Sequence, residues 1–284
     1  MGDTMTPGEF DLDGYLARIG WDGALAPGLA TLRCLVAHHT AAIPFEGIDA
    51  LLGRTPALDA GGLRAKLVGG RRGGWCFEQN SLLAMALAAI GFAPRPLLAR
   101  VRYGVPPGQP MPRTHMVLRL DLPEGPHLAD VGFGGVTMTG PIALQPGPAQ
   151  PTPHGQFRLV EAPGGLLLQA ALGGDWADLY LLGLEPHLPV DVDQANWVVA
   201  NRPGGFFTAN LVASRSPPGQ RLTLLNRRLA VRETNGAETV TQLEGAALGE
   251  ALRGRFGIAL TAAELAAVDA ALAAARPGHI AAPG

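Results

Sequence analysis

The chain carries a single lysine, Lys66, among its 22 basic residues, and only two cysteines, Cys34 and Cys76. With a formal net charge of −2, nothing in its charge balance points to nucleic acid or to an anionic membrane. Two cysteines outside any Cys-x-x-Cys pair make neither a disulfide framework nor a thiolate metal site. No His-x-x-x-His spacing occurs, and neighbours such as His38 and His39 point about 100° apart on a helix, so no metal is expected. A Gly-x-x-x-x-Gly-Lys-Ser/Thr phosphate loop and a Gly-x-Ser-x-Gly elbow are also missing. No uninterrupted apolar run of about 18 residues appears, so a spanning helix is not expected. The start, Met-Gly-Asp-Thr-Met, lacks the basic and apolar pattern of a signal peptide. The expectation is a soluble cytoplasmic protein. The shortage of lysine and the wealth of alanine, glycine and proline read as bias of the source genome.

The 284 residues suggest two or three domains around a large core. The first 90 or so read helical. Asp11 caps a short helix that runs to Arg18. Leu29, Leu32, Val36 and His39 share a face of a second helix, which ends before Pro44. A third, weak because of Gly61-Gly62, covers 59–68, and a fourth runs over 81–90 to Gly91. Short apolar runs between Pro/Gly turns follow at 96–103, 115–122, 127–133, 156–161, 165–172 and 177–182. They predict an antiparallel barrel or sandwich, with 141–153 as a loop. Asp191 is expected to cap a helix over 192–200. Strands are expected over 207–214, 220–232 and 239–243. Two helices close the chain, the last behind a Thr261/Glu264 capping box, and 276–284 reads as a frayed tail.

The residue with chemistry is Cys76, in Arg71-Arg72-Gly73-Gly74-Trp75-Cys76-Phe77-Glu78-Gln79-Asn80. Gly73-Gly74 breaks any helix before it, and the Ala/Leu run after it demands one. The thiol therefore sits at a helix N-terminus, where unpaired N–H groups and the dipole favour the nucleophilic thiolate and can later hold an oxyanion. Cys34 lies inside the second helix, a packing position.

A thiol nucleophile needs a base, and the base an orienter. His39 faces an apolar side and reads as a core histidine. His38, His154, His187 and His279 lie on a helix, in Pro-rich loops or in the tail, and His127 precedes a strand in an exposed setting. His115 remains, at the start of an apolar strand whose end can look into a cleft. Asp130, in Leu-Ala-Asp-Val-Gly-Phe, reads as a carboxylate within the next strand, costly there unless paired. A hairpin would bring the two side by side.

These segments resemble the arylamine N-acetyltransferase family. Arg72-Gly73-Gly74-Trp75-Cys76-Phe77-Glu78-Gln79-Asn80 is similar to its cysteine motif, Thr114-His115-Met116 to its histidine motif, and Ala129-Asp130-Val131-Gly132-Phe133-Gly134 to its aspartate motif. Ile43-Pro44-Phe45-Glu46 and Phe207-Thr208-Ala209-Asn210-Leu211 agree in order, and the match covers about 45 to 215. Trp75 stands where the family usually has tyrosine, and Gly47 where asparagine is usual. The resemblance implies an α+β fold with a cysteine-protease-like catalytic core. Its parts are an N-terminal helical bundle (1–92), a central antiparallel β-barrel (93–188), an interdomain helix and linker (189–206) and a C-terminal α/β lid (207–284). It implies acetyl-CoA as cosubstrate, small aromatic amines or hydrazines as acceptors, and ping-pong transfer through Cys76, with His115 and Asp130 completing the triad. Phe45, Phe133 and Phe207 would form the acceptor slot, and Thr114, Gly132 and Thr208 would contact the thioester arm.

Three other readings compete: a cysteine hydrolase, an amide synthase of the same family closing a macrolactam, and a non-enzymatic scaffold for aromatic ligands. An intact Cys, His and Asp set argues against the last.

Overall fold

The computed structural model describes residues 10–274. Helices α1 (Leu12–Ile19) and α2 (Leu29–Ala42) open it. Asp11 caps α1 by accepting from the Gly14 N–H, as expected. After α2 come the two-residue strand β1 (Phe45–Glu46), the turn-length helix α3 (Ile48–Leu51) and α4 (Ala60–Leu63), which widens into a π-helical turn over Arg64–Gly69. Helix α5 (Cys76–Ile90) stops at Gly91 in the left-handed conformation. Buried Leu32, Leu35, Val36, Trp75, Phe77, Leu82, Leu83 and Leu87 form the core of this helical part. Buried apolar side chains supply its driving force.

Eight antiparallel strands follow: β2 (Arg95–Val101), β3 (Arg113–Leu122), β4 (Gly125–Ala129), β5 (Ile142–Ala143), β6 (Gln150–Thr152), β7 (Gly155–Ala162), β8 (Gly165–Leu172) and β9 (Asp175–Leu182). Their order, β5-β4-β3-β2-β9-β8-β7-β6, rolls the sheet almost into a barrel. The ends are joined by a side chain: the Gln150 amide of β6 bonds both the N–H (2.7 Å) and the C=O (3.1 Å) of Ala143 in β5. The expected 141–153 loop therefore contains two short strands. Strand β4 ends at Ala129 instead of running to residue 133, because Asp130 turns its carboxylate onto the backbone N–H of Gly132. His127, expected to be exposed, is buried within β4.

Helix α6 (Pro189–Asn201) starts earlier than expected. Pro189 occupies its first turn, and Asp191 caps from inside by accepting the Leu188 N–H. The run 207–214 is not one strand. Phe206–Ala209 forms a helical turn, α7, closed by Thr208 and Asn210 side chains on backbone carbonyls, and only β10 (Val212–Arg215) is extended. Aromatic and β-branched residues carry strand propensity, but these local side-chain bonds outcompete it. Likewise 220–232 folds as a hairpin of β11 (Gln220–Leu225) and β12 (Arg228–Glu233), turning at Asn226 with φ +54°. Strand β13 (Glu238–Gln242) and helices α8 (Ala247–Ala251) and α9 (Ala262–Ala274) complete the described chain, with Glu264 and Thr261 forming the expected capping box. The tail expected over 276–284 lies outside the described residues. No helix among the described residues is long and apolar enough to cross a membrane.

The sheet order β1-β10-β11-β12-β13 ties the first helical region to the last part of the chain. Phe45 pairs with Ser214 on one side and bridges Gly74 on the other. That pairing sets one wall of the candidate site.

Candidate active site

Cys76 is the first residue of α5. Trp75 caps the helix in extended backbone, and the Glu78 carboxylate accepts the Trp75 N–H at 3.1 Å. The loop before it has no room for side chains: a β-carbon on Gly73 would fall 2.1 Å from the Pro44 carbonyl oxygen. Buried ion pairs hold this loop. Arg72 donates Nε (2.6 Å) and Nη2 (3.0 Å) to Glu46, which also accepts from Gly73 N–H and Ile48 N–H. Lys66, the lone lysine, bridges Asp49 (2.6 Å) and Glu78 (2.7 Å). Burial pushes Glu78 up to about 7 against the opposing pull of Lys66.

His115 lies on β3 opposite Ala99 of β2. Its Nε2 meets the Asp130 Oδ2 at 2.8 Å, both side chains being almost wholly buried. The β3–β4 ladder ends at Leu118–Ala129, so Asp130 reaches His115 diagonally past the end of the ladder. Asp130 is saturated: its Oδ1 accepts from Asn80 Nδ2 (3.1 Å) and Gly132 N–H (2.8 Å). Burial would raise its pKa, but His115 and these donors together hold it below the ordinary carboxylate range. Burial would lower the His115 ring, yet Asp130, aided by Cys76, lifts it to about 10. With Nε2 committed to Asp130, Nδ1 is the nitrogen left for the thiol. The Cys76 sulfur lies 3.8 Å from the Thr114 carbonyl oxygen, beside His115 on β3. The structure thus brings Cys76, His115 and Asp130 into one buried cluster.

Phe133 packs edge-on against His115, with ring centroids 5.0 Å apart. Phe207 lies 5.9 Å from Phe45 and 5.5 Å from Trp75. A β-carbon on Gly134 would be 3.6 Å from the Phe45 ring, so the loop just after Phe133 packs on Phe45. Thr114 and Gly132 border Cys76. The Gly132 N–H is spent on Asp130, and the Thr208 hydroxyl is spent on the Gly205 and Arg202 carbonyls. Toward a ligand, Thr208 keeps only acceptor capacity. A separate cavity of about 430 Å³ opens between β2, β3 and α6, with Thr114 on its wall but neither Cys76 nor His115.

Two residues of the cluster were not singled out from sequence. Asn80 sits one turn after Cys76 on the same helix face and donates to the Met116 carbonyl, while its Oδ1 accepts the Val131 N–H. An asparagine in an Ala/Leu helix, four residues past the cysteine, is the signal that marks it. Tyr180 of β9 lies 4.8 Å from the His115 ring. Burial and then the neighbouring Asp130 charge raise its phenol well above the usual range. No local pattern reveals Tyr180, because β9 reaches His115 only through sheet order. His39 is a core histidine as expected, buried between the Tyr15 hydroxyl and the Gln79 amide oxygen, and burial lowers it to about 4. Among the described residues no group of three or more His, Cys, Asp and Glu converges to hold a metal ion.

Helical bundle, barrel and capping sheet in this order define the class. A family model described as N-acetyltransferase matches residues 28–265. The chain belongs to the arylamine N-acetyltransferase family. It is 41% identical to the arylamine N-acetyltransferase of Mycolicibacterium smegmatis over 254 residues, 88% of this chain and 92% of that one. To the Escherichia coli (strain K12) enzyme it is 39% identical, covering 92% and 95%. The structure of Mycobacterium marinum arylamine N-acetyltransferase in complex with CoA superposes with a TM-score of 0.87 at 38% identity, covering 92% of this chain and 98% of that one.

Proposed function

We propose that this protein transfers an acetyl group from acetyl-CoA to the nitrogen of an aromatic amine or hydrazine by a ping-pong reaction through acetyl-Cys76. The 2.8 Å bond between His115 Nε2 and Asp130 Oδ2, beside a thiol at a helix N-terminus, carries the reading. Residues 1–92 supply the thiol, 93–188 the imidazole and carboxylate, 189–206 the connection, and 207–284 a lid over the acceptor slot.

The Cys76 sulfur, its proton held by His115, attacks the thioester carbonyl. The first N–H groups of α5 face the developing oxyanion. The tetrahedral adduct collapses, the C–S bond to CoA breaks, and His115 returns the proton to the departing thiolate. An amine, oriented by Phe45, Phe133 and Phe207, then attacks the acetyl-cysteine. His115 takes a proton from its nitrogen, and the C–S bond to Cys76 breaks to release the amide. Asp130 neither gains nor loses a proton; it keeps the ring oriented and stabilises its charge. The CoA-bound relative supports the donor, and the aromatic walls favour a flat acceptor over water.

Brief exposure to acetyl-CoA without amine should leave one acetyl group on Cys76, measured by intact mass and peptide mapping. It should persist in buffer and vanish when an aromatic amine is added. Acetate release at the rate of CoA release, unaffected by a broad amine panel, would instead identify a hydrolase. No adduct with acetyl-CoA, but one with a longer acyl thioester, would identify a different donor, as an amide synthase requires.

A further inference from the structure

Arg18 of α1 and Arg215 of β10 meet at the C-terminal end of α2, and Arg71 of the loop before α5 adjoins them, its carbonyl held by Ala259, four residues past the Arg255 carbonyl that Arg215 holds. Arg18 donates Nη1 to the Ala42 carbonyl (2.8 Å) and Nε to the Leu67 carbonyl (2.9 Å). Arg215 donates Nε to the neighbouring Ala41 carbonyl (2.6 Å) and Nη1 to the Arg255 carbonyl (3.2 Å). Both guanidinium groups are half-buried, and among the described residues the Nη2 of each has no hydrogen-bond partner. The Arg71 side chain is exposed and makes no hydrogen bond or ion pair among the described residues, although its backbone is anchored by the Ala259 N–H. It stands at φ +49°, one of two non-glycine residues with positive φ in the described chain. Among the described residues no carboxylate pairs with any of the three. Burial, then the charges of Arg71 and Arg215, pull Arg18 down to about 10.

Capping a helix end accounts for part of this arrangement. The α2 terminus offers roughly half a negative charge, against three positive ones. The chain as a whole carries net charge −2, so a local excess of about two and a half positive charges is not a general property of its surface. Guanidinium groups with free N–H forks are matched to tetrahedral oxyanions.

We propose that Arg18, Arg71 and Arg215 form a binding site for a small, multiply charged oxyanion of the phosphate class, outside the thiol site. None of the three touches Cys76, His115 or Asp130. The anion would supply the missing counter-charge, accept from the free Nη2 groups, and draw in the Arg71 side chain. Its source is either free phosphate or a phosphate group of a nucleotide.

The test is a thermal-unfolding titration with millimolar inorganic phosphate against sodium chloride at matched ionic strength. Phosphate also stabilises proteins by exclusion from their surface, so the readout is the difference between variants. Arg71→Gln should weaken the phosphate effect about 10-fold or more, the loss of one charge-assisted hydrogen bond. Arg228→Gln, an exposed arginine on β12, should leave it unchanged. Arg71→Asn, whose side chain tolerates positive φ, repeats the test if glutamine disturbs the loop. Adding CoA identifies the source: a phosphate effect abolished by CoA assigns the site to a nucleotide phosphate, and an additive effect assigns it to the free ion. No stabilisation beyond chloride, or an equal effect in wild type and both Arg71 variants, overturns the proposal. No acetyl transfer is needed, so the outcome is independent of the proposed reaction.

Discussion

Gly132 packs directly on Cys76: a β-carbon at position 132 would lie 2.6 Å from the Cys76 Cα and 3.0 Å from the Asn80 Nδ2. Backbone meets backbone there, so neither side can rotate away. Gly132→Ala must push the aspartate loop off α5. We expect a stability loss of about 1–3 kcal/mol, typical of overpacking. The rate of acetyl-enzyme formation should fall further than stability alone explains, because the Asp130–Gly132 bond moves too. Denaturant unfolding alongside single-turnover kinetics separates the two. Wild-type-like acylation in a stably folded Gly132→Ala protein would show that this contact does not position the thiol.

Asp130→Asn should fold and lose at least about 10²-fold in turnover, a smaller loss than the ~10⁴ known for the corresponding serine-protease change. It should also change how stability depends on pH. The His115 pKa is raised from about 6.5 to about 10 in the folded protein. Its charge therefore contributes stability that is fully present below about pH 6.5 and is lost as pH rises through about 10. The Asp130 pKa is lowered, so its contribution holds above the unfolded carboxylate range and is lost on acidification. The wild-type melting temperature should decline between about pH 6.5 and 10, and Asp130→Asn should flatten that decline. Parallel curves for both proteins would place the pairing elsewhere.

Cys76 and Cys34 should differ in reactivity. Cys76 faces an imidazole and a helix N-terminus, whereas Cys34 sits within α2. Sub-stoichiometric iodoacetamide near neutral pH, followed by peptide mapping, should label Cys76 first, and His115→Ala should slow that labelling. Preferential labelling of Cys34 would contradict the active-site assignment.

Gly47 is where acceptor choice should respond. A β-carbon there would be 2.8 Å from the Phe207 ring, so only glycine lets that ring settle over α3. Gly47→Asn should displace Phe207 toward Phe45 and Trp75 and narrow the slot. We expect KM for bulky aromatic amines to rise several-fold while the rate of Cys76 acetylation by acetyl-CoA stays close to wild type. An unchanged acceptor profile would show that Phe207 does not shape the slot.

The sequence by itself determined the local pieces. Gly73-Gly74 followed by an Ala/Leu run forces a helix to start at Cys76, since glycine breaks one side and propensity builds the other. Short apolar runs between turns specify antiparallel strands, and the isolated Asp130 at the end of one such run signals a partner. Fine boundaries were less legible. Phe206–Ala209 and the Asn226 turn depend on single side chains bonding nearby backbone, which overrides strand propensity. What only the tertiary structure decided is which pieces meet. Tyr180 reaches His115 because β9 lies beside β2, and Phe45 is fixed by pairing with Ser214. The Trp75 indole N–H finds its acceptor in Asn196, 121 residues along the chain. Arg18 and Arg215 gather because both cap the end of α2, and Arg71 comes near them because its backbone is tied to Ala259, beside the Arg255 carbonyl that Arg215 holds. The physical reason is the same in each case. Local propensity acts over a few residues, whereas ladder hydrogen bonds and apolar burial join segments irrespective of their separation in sequence.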